Sequence, residues 1–312
     1  MRVLLTGVSS FTGGWFATAL AESGCEVIAT SRRPPESYAG VAARRLELAR
    51  CAGCVIRSGL SFGDPAFVDL IAANRVDVLC HHGVEIGDFR SAAFDPIGCH
   101  DAATANADGV MAALARSGGR ALVVTGSVFE GAAAAGQGPV LAYGLAKARI
   151  RETLSAAAAR HGLATTCFVV PHPIGALEKP GLGTYLAGRW LAGEPARLRH
   201  PWLVRDFIHV ELLAALYAAH CRAQLHASAP SLRAPSGHVA SLLEHARWIA
   251  AALRPRLGVP CEIAAGEQHG PSDEPEILIN PEPTDALAAT WPIDRAWDRL
   301  ADFYLWLNSS TG

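Results

Sequence analysis

The chemistry in this chain is most legible at Tyr143-Gly-Leu-Ala-Lys147, where a phenol stands four residues before an ammonium. On a helix, positions i and i+4 share a face, so the two groups become neighbours. An ammonium beside a phenol favours the phenolate and lowers the phenol's pKa. Such a phenol exchanges a proton near neutral pH with a carbinol or carbonyl, while a redox cofactor exchanges hydride. Both residue types are scarce: there are 5 tyrosines, and of 27 basic residues only Lys147 and Lys179 are lysine. A lysine kept in an arginine-biased chain points to a proton that arginine cannot share or tune. Lys179, in a Pro/Gly loop beside Glu178, has no comparable setting and reads as surface charge. A third group should orient the substrate oxygen. Thr125, at the end of an apolar strand, is the candidate, and Ser127 is its rival.

A second constellation supplies the cofactor. The strand Arg2–Thr6 runs into Gly7-Val8-Ser9-Ser10-Phe11-Thr12-Gly13-Gly14 and then a helix. A helix N-terminus presents unpaired N–H groups and a positive dipole end, which suits a pyrophosphate. Gly7 allows the tight turn, and Gly13 lets the helix lie close to the strand. After the second strand, an acidic residue would bond the ribose 2′-OH of NAD, whereas arginine accommodates the 2′-phosphate of NADP. The chain has Ser31-Arg32-Arg33 and no acid, so NADP is expected, with NAD as the alternative.

These residues need a scaffold that brings strand ends together. Strands are expected at residues 2–6, 26–30, 54–57, 76–80, 121–125 and 164–170. Helices are expected at 12–23, 67–74, 106–115 and 142–160. That alternation implies right-handed βαβ units and a parallel sheet covered on both faces. Beyond Val170, prolines at 171, 173, 180, 195 and 201 break the chain into shorter elements. Helices follow at 212–220, 241–253 and 291–307, and residues 132–135 read as a small-residue loop. The expected fold is α/β: a Rossmann-type, doubly wound parallel sheet with a smaller C-terminal mixed α/β region. Residues 1–170 would bind the dinucleotide, and 171–312 the substrate, interleaved with the first part.

Composition excludes several classes. Half the residues are apolar and 18% are charged, so the chain is not disordered. A net charge of −2 with histidine neutral gives no reason to expect nucleic-acid or membrane binding. The N-terminal apolar run is too short for a signal peptide. No stretch approaches about 18 uninterrupted apolar residues, so a cytoplasmic protein is expected. The 8 cysteines are scattered. Cys51 and Cys54 have zinc or redox spacing but no second pair, and read as chance core cysteines. His81 and His82 lack a third ligand at suitable spacing, so no metal is expected.

Together these segments resemble the extended short-chain dehydrogenase/reductases, of the NAD(P)-dependent epimerase/dehydratase family, over nearly the whole chain. The matches are Thr6-Gly7…Phe11-Thr12-Gly13, Asn106-Ala-Asp-Gly109, Val124-Thr125-Gly126-Ser127-Val128-Phe129-Glu130-Gly131, Tyr143…Lys147 and Arg205-Asp206-Phe207-Ile208-His209-Val210. Cys80-His81-His82-Gly83 fits the family's His-Leu-Ala-Ala turn less closely. The resemblance implies that Thr125 holds the substrate hydroxyl or carbonyl, Tyr143 is the acid/base, and Lys147 contacts the nicotinamide ribose. It implies cofactor contacts from Gly7, Ser9, Ser10, Phe11, Thr12, Gly13, Ser31, Arg32, Arg33, Tyr143, Lys147 and Pro171. It implies a nucleoside-diphosphate sugar substrate met by Ser127, His172 and Arg205, with Arg205 a diphosphate contact. It also implies a homodimer through the Tyr143 helix and the helix before it.

The departures carry information. Ser10 replaces the family's middle glycine, and Gly59-Leu60 stands where Asp-Leu is usual. The 4,6-dehydratases of the family resemble Thr-Asp-Glu at the strand end that here reads Thr125-Gly126-Ser127. Removing water needs a positioned acid and base, so an epimerase or ketoreductase is expected rather than a dehydratase. His172 and Glu178 follow the sixth strand and are candidates for an extra acid/base; Glu130 reads as structural. The rival readings are a reductase of a small carbonyl compound and a non-catalytic dinucleotide sensor on the same fold.

Overall fold

Strands that are apolar without alternation cannot sit in a sheet with one wet face. β1 (Arg2–Thr6), β4 (Val78–His81) and β5 (Ala121–Ser127) are such strands, and every residue of β4 and β5 is buried. A computed structural model describes residues 1–85, 87, 89, 91, 93–134, 141–226, 231–264, 274–284 and 288–311. With β2 (Glu26–Ser31), β3 (Val55–Ser58) and β6 (Ala164–Val170), the strands pair in the order β3-β2-β1-β4-β5-β6. A short edge strand, Ser231–Arg233, joins β6, and every pairing in the sheet is parallel. This is the doubly wound α/β order whose crevice lies at the carboxyl ends of the central strands.

Helices cover both faces. On one face α3 (Pro65–Asn74), α5 (Ala107–Arg116) and α7 (Leu141–Arg160) pack Phe67, Ile71, Met111, Leu114, Ile150 and Leu154 against Leu4, Leu79, Leu122 and Val124. On the other, Phe16 of α1 (Phe11–Glu22) stacks on Tyr217 at 3.9 Å and meets Phe168 edge-on at 6.1 Å. Each such side chain, fully buried, contributes on the order of 1.5–3 kcal/mol. The chain also forms α2 (Gly40–Cys51), α4 (Pro96–Thr104) and α6 (Phe129–Ala134). Helix α6 replaces the loop expected at 132–135; residue 135 itself lies outside the described residues.

By compactness there are two units: Met1–Val170 with Ala214–Ala234, and Pro171–Leu213 with Pro235–Gly312. In the second, β7 (His172–Ile174) pairs with β8 (Val204–His209), which also pairs with His238–Ser241 and Ile277–Leu278. Buried Asp206 ties this sheet together by accepting the Gly237 N–H at 2.7 Å and the Asn280 N–H at 3.0 Å. Its helices include Leu182–Leu191, Leu242–Leu257 and Ile293–Thr311. Among the described residues, no helix is long and apolar enough to cross a membrane, and no three His, Cys, Asp or Glu are grouped to hold a metal. Cys54 donates to the Ala17 carbonyl, and burial pushes its thiol up to about 11, while Cys51 is exposed.

Candidate active site

The turn after β1 is built by main-chain contact. Gly7 has φ +82°, and a Cβ there would lie 2.5 Å from Gly83 Cα. A side chain at Gly13 would run into the Gly7 carbonyl and Ser10 Oγ. These two positions therefore exclude anything larger than glycine, because Gly83, the Gly7 carbonyl and Ser10 already occupy the space a Cβ would need beside the first turn of α1. The first N–H groups of a helix have no intrahelical partner, so Phe11 and Thr12 can present theirs to a pyrophosphate. The residues fit a dinucleotide.

Polar side chains lock this turn. Ser10 caps α1: its Oγ accepts the Gly13 N–H at 3.1 Å and donates to the Gly7 carbonyl at 2.8 Å. Ser10 thus folds back on its own turn. With its hydrogen committed, Ser10 Oγ accepts from His82 Nε2 at 3.0 Å; the same nitrogen lies 3.1 Å from Thr12 Oγ1. Two departures from the family pattern, Ser10 and His82, are thus partners. Below them Thr6 Oγ1 accepts the N–H groups of His82 and Gly83 at 3.0 and 2.8 Å. Its own hydrogen then goes to His81 Nδ1 at 3.2 Å, which leaves His81 neutral with its proton on Nε2. Burial, and then the Lys147 charge, push the His81 pKa down to about 3.

At the end of β2, Ser31 Oγ bonds Ser58 Oγ at 3.0 Å and the Arg33 carbonyl at 3.1 Å. Arg32 forms an ion pair with Glu85. The Arg33 guanidinium lies 4.6 Å over the Tyr38 ring. Partial burial pushes the Tyr38 phenol up, but bonds from Ser9, Arg33 and Ser31 outweigh it and leave its pKa lowered. Tyr38 was not among the expected contacts; its distance from the strand pattern gave no signal. Gly59, at φ +74°, opens a turn from which Leu60 N donates to the Ser31 carbonyl.

Tyr143 and Lys147, the expected acid/base pair, lie one turn apart on α7, and both side chains are buried. Tyr143 sits in an aromatic pocket, 4.5 Å from Phe89, 5.8 Å from Phe129 and 6.3 Å from Phe94. Burial raises its phenol well above the usual value; the Ser127 hydroxyl opposes this, while Glu130 and Cys99 add to it. Lys147 does not lower the phenol as the spacing predicted. Its Nζ turns to β5 and donates to the Thr125 carbonyl at 2.6 Å. Desolvation outweighs the helix spacing here, and it also lowers the Lys147 pKa, against Glu130, Cys167 and Cys99. The side chain facing the phenol is Ser127. The Thr125 hydroxyl is buried and faces the Tyr217 phenol instead.

The remaining expected residues belong to the second unit. Pro171 leads into β7, and the His172 ring lies 5.7 Å from Phe207. Glu178 accepts the Tyr304 hydroxyl at 2.7 Å and lies within 3.4 Å of Gly175 N. Arg205, 3% exposed, bonds Glu274 Oε2 at 2.9 Å and the carbonyls of Val204 and Glu276 at 2.8 and 3.2 Å. Glu274, 69 positions away, gave no local signal.

A family model, that of the NAD dependent epimerase/dehydratase family, matches residues 3–228. The chain belongs to this family. No curated protein matches the sequence. Solved structures share the fold at low identity. A UDP-glucose 4-epimerase from Stenotrophomonas maltophila, with bound NAD and formylated UDP-arabinopyranose, is 18% identical with a TM-score of 0.71, covering 99% of each chain. A UDP-glucuronic acid 4-epimerase variant from Bacillus cereus, in complex with NAD and a fluorinated UDP-sugar, is 13% identical with a TM-score of 0.72, covering 98% of this chain and all of that one. A UDP-glucose 4-epimerase from Thermotoga maritima is 15% identical with a TM-score of 0.70, covering 98% and 99%. Within the epimerase/dehydratase family, the Rossmann-type sheet found here is the expected frame.

Proposed function

We propose that the protein is an NAD(P)-dependent epimerase or ketoreductase of nucleoside-diphosphate sugars. The observation that carries this reading is the burial of the Tyr143 phenol beside Ser127, with Lys147 one turn on, in a chain of this family. The similar folds named as UDP-sugar 4-epimerases favour the epimerase version. Tyr143 takes the carbinol proton as hydride departs and returns one when hydride comes back. Ser127, with Thr125 its rival, holds the same substrate oxygen. Lys147 would contact the ribose of a bound cofactor and, released from the Thr125 carbonyl, would lend its charge to the phenol. Gly7, Ser9, Ser10, Phe11, Thr12, Gly13 and Pro171 hold the dinucleotide. When bound, NAD(P) supplies the hydride acceptor and donor. Dehydration is outside this reading, because Gly126 and Ser127 offer no carboxyl. Turnover of UDP-hexoses and NADPH oxidation with a 4-keto sugar nucleotide test it: no activity with any sugar nucleotide removes it.

NADP is the proposed preference, because Ser31, Arg32 and Arg33 end β2 without a carboxylate and Arg33 is braced on Tyr38. NAD, present in similar folds, is the alternative. Equal or tighter NAD binding sinks the preference. A homodimer through α7 and the helix expected before it, α5, is the proposed assembly, with exposed Leu145 on α7 in its support; a monomeric sedimentation coefficient at micromolar concentration overturns it. A reductase of a small carbonyl compound is the second reading, favoured by the Glu274 carboxylate that already neutralises Arg205. A melting temperature raised by UDP decides against it, since a ligand that binds only the native state stabilises that state.

A further inference from the structure

Glu130 follows the strand end where the acid/base groups collect, and its carboxylate turns back onto that strand. Oε1 accepts the Ser127 N–H at 2.9 Å, and Oε2 accepts the Arg151 Nε–H at 3.1 Å. The side chain is 11% exposed. Two donors, one of them cationic, stabilise the carboxylate where it lies. The same carboxylate accounts for glycine at 126. A Cβ there would lie 2.7 Å from Glu130 Oε1 and 2.8 Å from Cys167 Sγ. Glu130 thus fills the space that a side chain at 126 would need.

Its charge bears on both members of the acid/base pair, disfavouring the Tyr143 phenolate and favouring the Lys147 ammonium. Tyr143 also faces Ser127 from β5, Cys99 from α4, and the rings of Phe89, Phe94 and Phe129. Lys147 also faces the Thr125 carbonyl from β5, Cys167 from β6, Cys99 from α4 and His81 from β4. Burial keeps both thiols protonated and His81 neutral at pH 7. Among the described residues facing the pair, Glu130 is therefore the anion.

We infer that Glu130 is a positioning residue for the proton step: it pins the Ser127 main chain beside Tyr143 and supplies the negative charge that sets the pH range in which Tyr143 and Lys147 work. The role in turnover rests on the function proposed above. The placement of charge does not.

Glu130→Gln tests it, because glutamine keeps the length and an oxygen for the Ser127 N–H but loses the charge. Removing an anion lowers the pKa of a neighbouring phenol and of a neighbouring ammonium alike. Both limbs of the kcat/KM profile should move to lower pH, by about half a unit to one unit. Glu130→Ala also removes the hydrogen bond, and kcat should fall about tenfold or more while KM stays within about threefold. A Glu130→Gln profile that superimposes on wild type overturns the inference. A second readout needs no substrate: ultraviolet titration of each protein against its Tyr143→Phe counterpart isolates the Tyr143 phenol. Its midpoint should be lower in Glu130→Gln. A midpoint unmoved also overturns the inference. If wild type turns over no sugar nucleotide, the functional reading falls while this titration still decides the role of Glu130.

Discussion

The turn after β1 and the cluster at the end of β5 belong to one sheet, yet they are finished to different degrees. At the turn, glycines meet backbone to backbone, and Thr6, Ser10, Thr12 and His82 bond one another. At the cluster, the buried Thr125 hydroxyl faces Tyr217, burial holds the Tyr143 phenol protonated, and Lys147 is held by a carbonyl. Buried titratable groups with perturbed pKa values, such as Tyr143 and Lys147, tend to mark places where chemistry awaits a partner. The comparison separates two ways of building function. A binding turn is preorganised by main-chain geometry. In the function proposed above, the cluster would be the reacting centre and would keep polar capacity in reserve for what binds.

The reserve is tested first, because its removal has the largest effect. Tyr143→Phe leaves the aromatic packing intact and deletes the proposed proton carrier. Turnover should fall on the order of a thousandfold, within the range seen for general acid–base groups, while the cofactor dissociation constant changes less than about threefold. Steady-state rates and fluorescence titration of NADPH measure the two. Unchanged turnover would remove Tyr143 from the mechanism and leave the cluster as ordinary core.

The finished turn should break structurally instead. Gly13→Ala drives a methyl group into the Gly7 carbonyl. Backbone strain and the displaced turn should cost about 3 kcal/mol and abolish measurable cofactor binding. Thermal unfolding with and without NADP reads both. A variant of wild-type stability would mean that the turn adapts, and the contrast with the β5 cluster would fail.

How much of this was legible depended on how local each feature is. β1 and β6 fall where the apolar runs end, because strands buried on both faces announce themselves by composition. The glycine turn and the Tyr143–Lys147 spacing are contacts within a few residues, and they read directly. α2 was missed because arginines at 44, 45 and 50 interrupt its apolar pattern. The two- to four-residue strands of the second unit are too short to carry any period. Helix Leu242–Leu257 runs past Pro255, which reads in sequence as a stop. At the site, which hydroxyl faces Tyr143, Ser127 or Thr125, depends on the direction each takes at a strand end, which alternation alone does not supply. The lysine's effect was misjudged for a related reason: spacing gives proximity, whereas the Thr125 carbonyl and the local desolvation decide where the charge acts.

Gly126→Asp carries the comparison to the border of the cluster. It restores the carboxyl found at this position in the family's dehydratases, but here the side chain meets Glu130 Oε1 and Cys167 Sγ. A second carboxylate buried beside the first should cost about 2–3 kcal/mol, with no gain of elimination activity. The melting temperature and an assay for a 4-keto-6-deoxy product measure this. A stable variant that eliminates water would show that the β5 end has room for a group its geometry excludes.

Ser10→Gly is the mildest intervention and the sharpest on whether the turn is finished. Ser10 has φ −77°, so glycine is not needed for its backbone, and the substitution only removes the cap and the partner of His82. Replacing a serine cap by glycine costs a few tenths of a kcal/mol, so the melting temperature should drop by about 1 °C or less. Because the Ser10 side chain is directed at Gly7 O and Gly13 N, away from a ligand on the Phe11 and Thr12 N–H groups, the NADP dissociation constant should stay within about threefold. A tenfold gain in affinity would mean that the hydroxyl had been crowding the pyrophosphate. The turn would then hold strain in reserve, as the β5 cluster holds polar capacity.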